Sequence, residues 1–184
     1  MNPLWVLRTA RLVLTPVNGT DLADLVAIKA DPRVFAIMLG GVRSARQAAE
    51  ELAADIACWA ADGFGTWVIR EQGQFLGITG LEPRPDGRGI ALRFALWPEA
   101  RGGGLAREAA GAVLRFGHQE AALPRIVAVA REENFASRIV LGGIGMTECD
   151  RFLQSGYRVV MYESAPTVIS HAVANGLSTS PPSG

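Results

Sequence analysis

Cysteine is scarce in this chain: Cys58 and Cys149 stand alone, without C-x-x-C spacing or a neighbouring histidine. That argues against a disulfide framework or a structural zinc site and favours a reduced, cytoplasmic setting. An excess of charge of one sign is also lacking, since 18 Lys and Arg balance 18 Asp and Glu. A nucleic-acid partner calls for a basic excess, so none is expected. No apolar run reaches the roughly 20 residues that a membrane span needs, and no signal-peptide pattern precedes "LRTARLVL". A soluble protein with no membrane partner is the expectation. His118 has no ligand partner at metal spacing and His171 lies in the tail, so no metal is expected either.

What is present is material for a core. Hydrophobic residues make up 49% of 184, a natural size for a single α/β domain, here taken as residues 1–165. A domain of about 150 residues buries roughly two-thirds of the surface its unfolded chain exposes. "RLVLTPV" (Arg11–Val17) alternates and predicts a strand, and Thr20 and Asp21 open a helix with Leu22, Leu25 and Val26 on one face. "DPRVFAIMLGG" is irregular and apolar, as in a helix junction or a substrate-facing loop. Ser44 and Gln47 form a capping box for a second helix that Gly63 ends, with a stripe of Leu52, Ile56 and Trp59.

Three strands follow: about Thr66–Arg70, Phe75–Leu81 and Ile90–Trp97. Leu105–Ala121 is then helical, Arg125–Ala130 a buried strand, and Asn134 caps a short helix to about Ile144. A hairpin of Glu148–Leu153 and Tyr157–Glu163 closes the order, and the tail 166–184 is small, polar and expected to be disordered. This order predicts an α/β (α+β) mixed sheet of about seven strands with helices on both faces. The crossover Ile90–Ala130 makes its two strands parallel.

"WPEARGGGLAREA" (Trp97–Ala109) sets three glycines at the mouth of a helix, with an arginine on each side. Unpaired N–H groups at a helix start attract anions, and glycines let that backbone approach a phosphate. A flexible strand-to-helix turn with solvated arginines accounts for the same residues. A Walker loop fails because Leu105 and Ala106 follow the last glycine, and a dinucleotide fingerprint is half met, with Arg107 at the third glycine position.

Read as R-x-x-G-x-A, Arg101–Ala106 resembles the acyl-CoA pyrophosphate loop of the GNAT superfamily of N-acyltransferases. "LRTARLVLTPV", "GTWVIREQGQFLGITGL" and "ENFASRIVLGGIGM" are similar, in order, to segments of its ribosomal-protein N-acetyltransferase branch. The likeness runs from about Leu7 to Tyr162. It implies a GNAT-like, largely antiparallel fold whose parallel pair splays to admit acetyl-CoA. By that resemblance the backbone of Phe94, Ala95 and Leu96 pairs with the pantetheine arm. Gly102, Gly104, Leu105 and Ala106 hold the pyrophosphate with Arg101 and Arg107 at the rim. Asn134 meets the pantetheine or adenine end and Arg138 a 3′-phosphate. Ser137 donates to the departing thiolate, although a first-turn serine also bonds local backbone.

The residues depart from the family pattern at several places. Leu141 stands where many members carry a tyrosine acid, Ala91 where a glutamate base is common, and Arg93 where glycine is usual. Glu82 is the nearest carboxylate for a base, or else a solvated loop residue. Phe35 and Met38 fall in the region that shapes the acceptor pocket. An α-amine with pKa near 7.8 is roughly a quarter neutral at physiological pH, against about 0.1% for lysine, a difference of about 3 kcal/mol. A site without a strong base therefore suits an α-amine: a protein N-terminus or a small molecule. A catalytically silent acyl-CoA-binding module and a dinucleotide-binding enzyme are the alternatives, and a homodimer is left open.

Overall fold

The computed structural model describes residues 2–166. The tail expectation and His171 lie outside the described residues. Among the described residues eight strands form one sheet: β1 (Leu7–Arg8), β2 (Val13–Pro16), β3 (Thr66–Glu71), β4 (Gln74–Pro83), β5 (Ile90–Leu96), β6 (Ile126–Arg131), β7 (Thr147–Gln154) and β8 (Tyr157–Ser164). Their spatial order is β1-β2-β3-β4-β5-β6-β8-β7, with β5/β6 the parallel pair and the other neighbours antiparallel. The eighth strand beyond the expected seven is β1, a two-residue hairpin arm too short to carry a periodic signal.

Among the described residues five α-helices connect the sheet: α1 (Leu22–Ala30), α2 (Pro32–Phe35), α3 (Ala45–Asp62), α4 (Leu105–Gln119) and α5 (Phe135–Gly143). Thr66 lies opposite Gly80 in the β3/β4 ladder, so Thr66 and Leu81 point to opposite faces of the sheet. Asp55 of α3 hydrogen-bonds Thr66, while Gly117 of α4 abuts Leu81 and Ile126. Helices thus cover both faces.

Apolar periodicity explains α4, which buries Ala109, Val113 and Phe116. The Ser44–Gln47 capping box and Gly63 bound α3 as expected. Its inward stripe differs: Ala48, Leu52 and Trp59 are buried, whereas Ile56 is 41% exposed. Leu22 of α1 also faces outward, and Ile28 and Lys29 are buried instead. Trp67 sits at the centre, fully buried, edge-on to Trp59 at 4.5 Å and Phe116 at 5.1 Å. Both indoles are satisfied, Trp67 Nε1 donating to the Trp5 carbonyl and Trp59 Nε1 to that of Thr66. His118 is satisfied as well, with Nδ1 2.8 Å from the Leu123 carbonyl and Nε2 3.1 Å from Ser164 Oγ.

Candidate active site

The parallel pair is brief. β5 and β6 are in register only at Ile90/Ile126 and Ala91/Val127, after which they separate. From Leu92 to Leu96 β5 is paired through β4 alone, leaving an open strand edge. A cleft of about 720 Å³ begins there, lined by Phe94, Ala95 and Leu96 on one side and Asn134 and Ser137 on the other. The mouth of α4 closes its far end.

That mouth is built from main chain. Gly102 and Gly104 have φ of +88° and +78°, a conformation that glycine adopts without steric cost. No side chain caps α4. Among the described residues, none of the six N–H groups from Gly102 to Arg107 has a hydrogen-bond acceptor. A row of unpaired donors at the positive end of a 15-residue helix has the character that attracts anions.

An arginine missed in the sequence braces this loop. Arg11 Nη1 donates to the Gly103 carbonyl at 2.8 Å, and its Nε and Nη2 bind Glu108 at 2.7 and 2.6 Å. Thr9 Oγ1 donates to the same carboxylate at 2.5 Å. Burial works to raise the pKa of Glu108, but the donors from Thr9 and Arg11 outweigh it and hold the carboxyl below its ordinary range. Nothing local marks this pair, because Arg11 and Glu108 are 97 residues apart.

Two smaller cavities share Phe94 with the cleft. One, about 280 Å³, shares Phe94, Met38, Asn134 and Ser137 with the cleft and adds Arg93, Arg131 and Leu141. The other, about 150 Å³, is lined by Phe35, Met38, Ile78 and Phe94, with Asp55 and Thr66 from α3 and β3. Phe94 and Met38 border all three spaces.

The chain that carries this arrangement, a splayed parallel pair with an uncapped glycine-rich helix mouth at its open end, is similar to known proteins. Residues 11–147 match the acetyltransferase (GNAT) domain. The chain belongs to the GNAT acetyltransferase family. Members of this family draw their acetyl group from acetyl-CoA, so the dinucleotide alternative is set aside. FsC-acetyl coenzyme A-N(2)-transacetylase of Aspergillus fumigatus is 29% identical over 160 residues, covering 79% of this chain. The match spans 66% of that relative, slightly under two thirds of its length. The acetyltransferase of Agrobacterium tumefaciens is 26% identical with a TM-score of 0.78, covering 88% of this chain and 94% of its own. An acetyl transferase of Salmonella typhimurium, which modifies the N-terminal serine of ribosomal protein L7/L12, shares the fold at TM-score 0.74. It is 16% identical and covers 86% of this chain and 96% of its own.

Within the GNAT domain the structure gathers most of the sequence-derived residues. Phe94, Ala95, Leu96, Arg101, Gly102, Gly104, Leu105, Ala106, Arg107, Asn134 and Ser137 all line the cleft. Asn134 caps α5 by accepting from the Ser137 amide at 3.2 Å, while the Ser137 hydroxyl has no partner among the described residues. Arg107 is exposed and unpaired there too, whereas Arg101 folds back onto the carbonyls of Leu96 and Arg33. Two residues are placed differently from expectation. Arg138 does not border the cleft: it donates to Tyr162 Oη at 3.1 Å and to the Glu132 carbonyl at 3.0 Å. Glu82 is engaged by Arg93 in an ion pair, because strand register sets Arg93 two positions past its partner Ala91. Phe35 is in a short helix rather than a loop and, with Met38, walls the smaller cavity.

Proposed function

We propose that this protein is an N-acetyltransferase that moves an acetyl group from acetyl-CoA to a primary amine by direct attack. The observation that carries the reading is the row of unpaired N–H groups from Gly102 to Arg107 at the end of an open strand edge. Gly102, Gly104, Leu105 and Ala106 would hold the pyrophosphate, with Arg107 adding a charge-assisted contact. Arg101 contributes through its position at the rim, its guanidinium being engaged by carbonyls. The β5 edge at Phe94–Leu96 would pair with the pantetheine amides as a strand neighbour does. Asn134 orders the start of α5, and Ser137 would give a hydrogen bond to the thiolate as the C–S bond breaks.

The acceptor reading is an α-amine, on a peptide N-terminus or a small molecule. Two supports converge: an α-amine needs about 3 kcal/mol less deprotonation than lysine, and the curated relative is named for transfer to an N(2) position. Likeness to the ribosomal-protein branch agrees but is of fold alone. The test is free-thiol release from acetyl-CoA with an amine panel: a serine-initial peptide, an internal-lysine peptide with blocked N-terminus, ornithine and spermidine. The expected result is turnover with α-amines first. Thermal stabilisation by CoA without thiol release from any amine identifies a silent binding module instead; a clear lysine preference rejects the α-amine assignment.

A further inference from the structure

Glu82 is paired with Arg93, which leaves the reaction without an evident proton acceptor. The small cavity supplies one. Asp55 occupies an inward position of α3, in the i, i+4, i+7, i+11 series of Ala48, Leu52, Asp55 and Trp59, where an apolar side chain is the rule. Its Oδ1 accepts from Thr66 Oγ1 at 2.9 Å, and among the described residues Oδ2 accepts nothing. The charged groups around it are Lys29 of α1, Arg43 before α3, Glu51 of α3, Glu82 of β4 and Arg93 of β5, with the Cys58 thiol nearby in α3. Every cation among them has another partner. Lys29 and Arg43 both bind Glu51, at 2.6 and 2.5 Å, and Arg93 binds Glu82. Asp55 is therefore the carboxylate of this cavity with no ion-pair partner among the described residues.

Apart from Thr79, whose hydroxyl donates to the Arg93 carbonyl, the remaining side-chain walls are apolar: Phe35, Met38, Ile78, Phe94 and Ala95. A cavity near 150 Å³ takes a guest of about benzene's size, so a slim alkylammonium fits where a bulky cation does not. Phe94 also borders the cofactor cleft, which places the cavity beside the splayed strands.

We propose that Asp55 receives the ammonium form of the acceptor and takes its proton before attack. This rests on the acetyl-transfer reading above and names the base it lacks. The ammonium gives one proton to the Asp55 carboxylate, which later passes it to solvent. The amine nitrogen bonds to the thioester carbonyl, the C–S bond breaks, and the second nitrogen proton leaves to the thiolate, giving amide and free thiol. Burial pushes Asp55 up from its ordinary value, against the opposing pull of Lys29 and the Thr66 hydrogen bond. That is the direction a base working near neutral pH requires. It also means that ionised Asp55 opposes folding. With the folded value raised, the native state binds more protons across the interval between the two values, and stability falls as pH rises through it.

The experiment compares wild type, Asp55→Asn and Thr66→Val by thiol release from pH 6 to 9.5, on the best acceptor of the panel. CoA-induced thermal shifts are read in parallel. For Asp55→Asn the expected loss is about a hundredfold at pH 7, shrinking to a few-fold at pH 9.5 as the amine deprotonates unaided. The CoA shift stays, and Tm at neutral pH is equal to or above that of wild type. Thr66→Val, which strips a donor from the carboxylate, should move the acid limb of kcat/KM upward. It keeps the inference open to test should Asp55→Asn fail to fold. A loss equal at every pH, or no loss, overturns the inference while leaving acetyl transfer intact. Absence of thiol release by wild type overturns acetyl transfer itself, and the assignment of Asp55 with it.

Discussion

The large cleft and the smallest cavity, which share Phe94 as a wall, are built by different means. On the side we propose for the cofactor, the walls are backbone: an open strand edge, two glycines in left-handed conformation and six unpaired N–H groups, with Arg107 as the free cation among the described residues. In the small cavity, which we propose for the acceptor, side chains from α1, α3, β3, β4 and β5 converge, with charges that pair internally except at Asp55. A diphosphate and a pair of amides are the same in every acyl-CoA, so a grip made of main chain serves without tuning. An amine acceptor varies, and on this proposal its recognition falls to side chains.

Substitutions rank the two sides. Gly104→Glu puts a Cβ at φ +78° and a carboxylate at the anion site. It should weaken CoA binding at least about a hundredfold, or about 2.7 kcal/mol, by titration calorimetry on folded protein. Ser137→Ala comes next: if its hydroxyl serves the leaving group as proposed, kcat falls about thirtyfold with KM for acetyl-CoA unchanged. Were KM to rise instead, Ser137 would belong to the cofactor grip. Arg11→Ala removes the strut on the Gly103 carbonyl and should cost about tenfold in CoA affinity, or about 1.4 kcal/mol. The same brace sets a pH limit. Glu108 has a lowered folded pKa, so its contribution is complete above the ordinary carboxylate value and is lost as pH falls through the folded one. CoA affinity in wild type should hold on lowering the pH until that point, and Arg11→Ala should abolish this acid limb. Arg107→Ala is the mildest, about threefold in CoA affinity and less at high salt, as for an exposed charge. If Arg107→Ala costs more than Gly104→Glu, the cofactor grip is a side-chain grip and the contrast between the two sides fails.

Legibility in the sequence follows the same divide. The glycine-rich mouth of α4, the Ser44–Gln47 box and the Asn134 cap are local, since each needs residues only a few positions apart. The crossover gave the parallel pair for the same reason. Ile56 illustrates the converse. Periodicity is met nearly as well by Leu52, Ile56 and Trp59 as by Leu52, Asp55 and Trp59, and hydrophobicity favours the wrong one. The face that α3 turns inward is set by a polar cavity between it and β3, which no local pattern reveals. A carboxylate at an i+3 position of a buried stripe was the available signal. Arg138 is a similar case, its partners Tyr162 and Glu148 coming from the hairpin that follows α5.

By itself the sequence determined the order of elements, the crossover and the chemistry of the helix mouth, because backbone conformation and capping are decided within a few residues. Tertiary structure alone decided where β5 and β6 part, which side chains meet around the small cavity, and that Arg11 holds the loop. Those outcomes depend on contacts between residues tens of positions apart, and only packing fixes the geometry of such contacts.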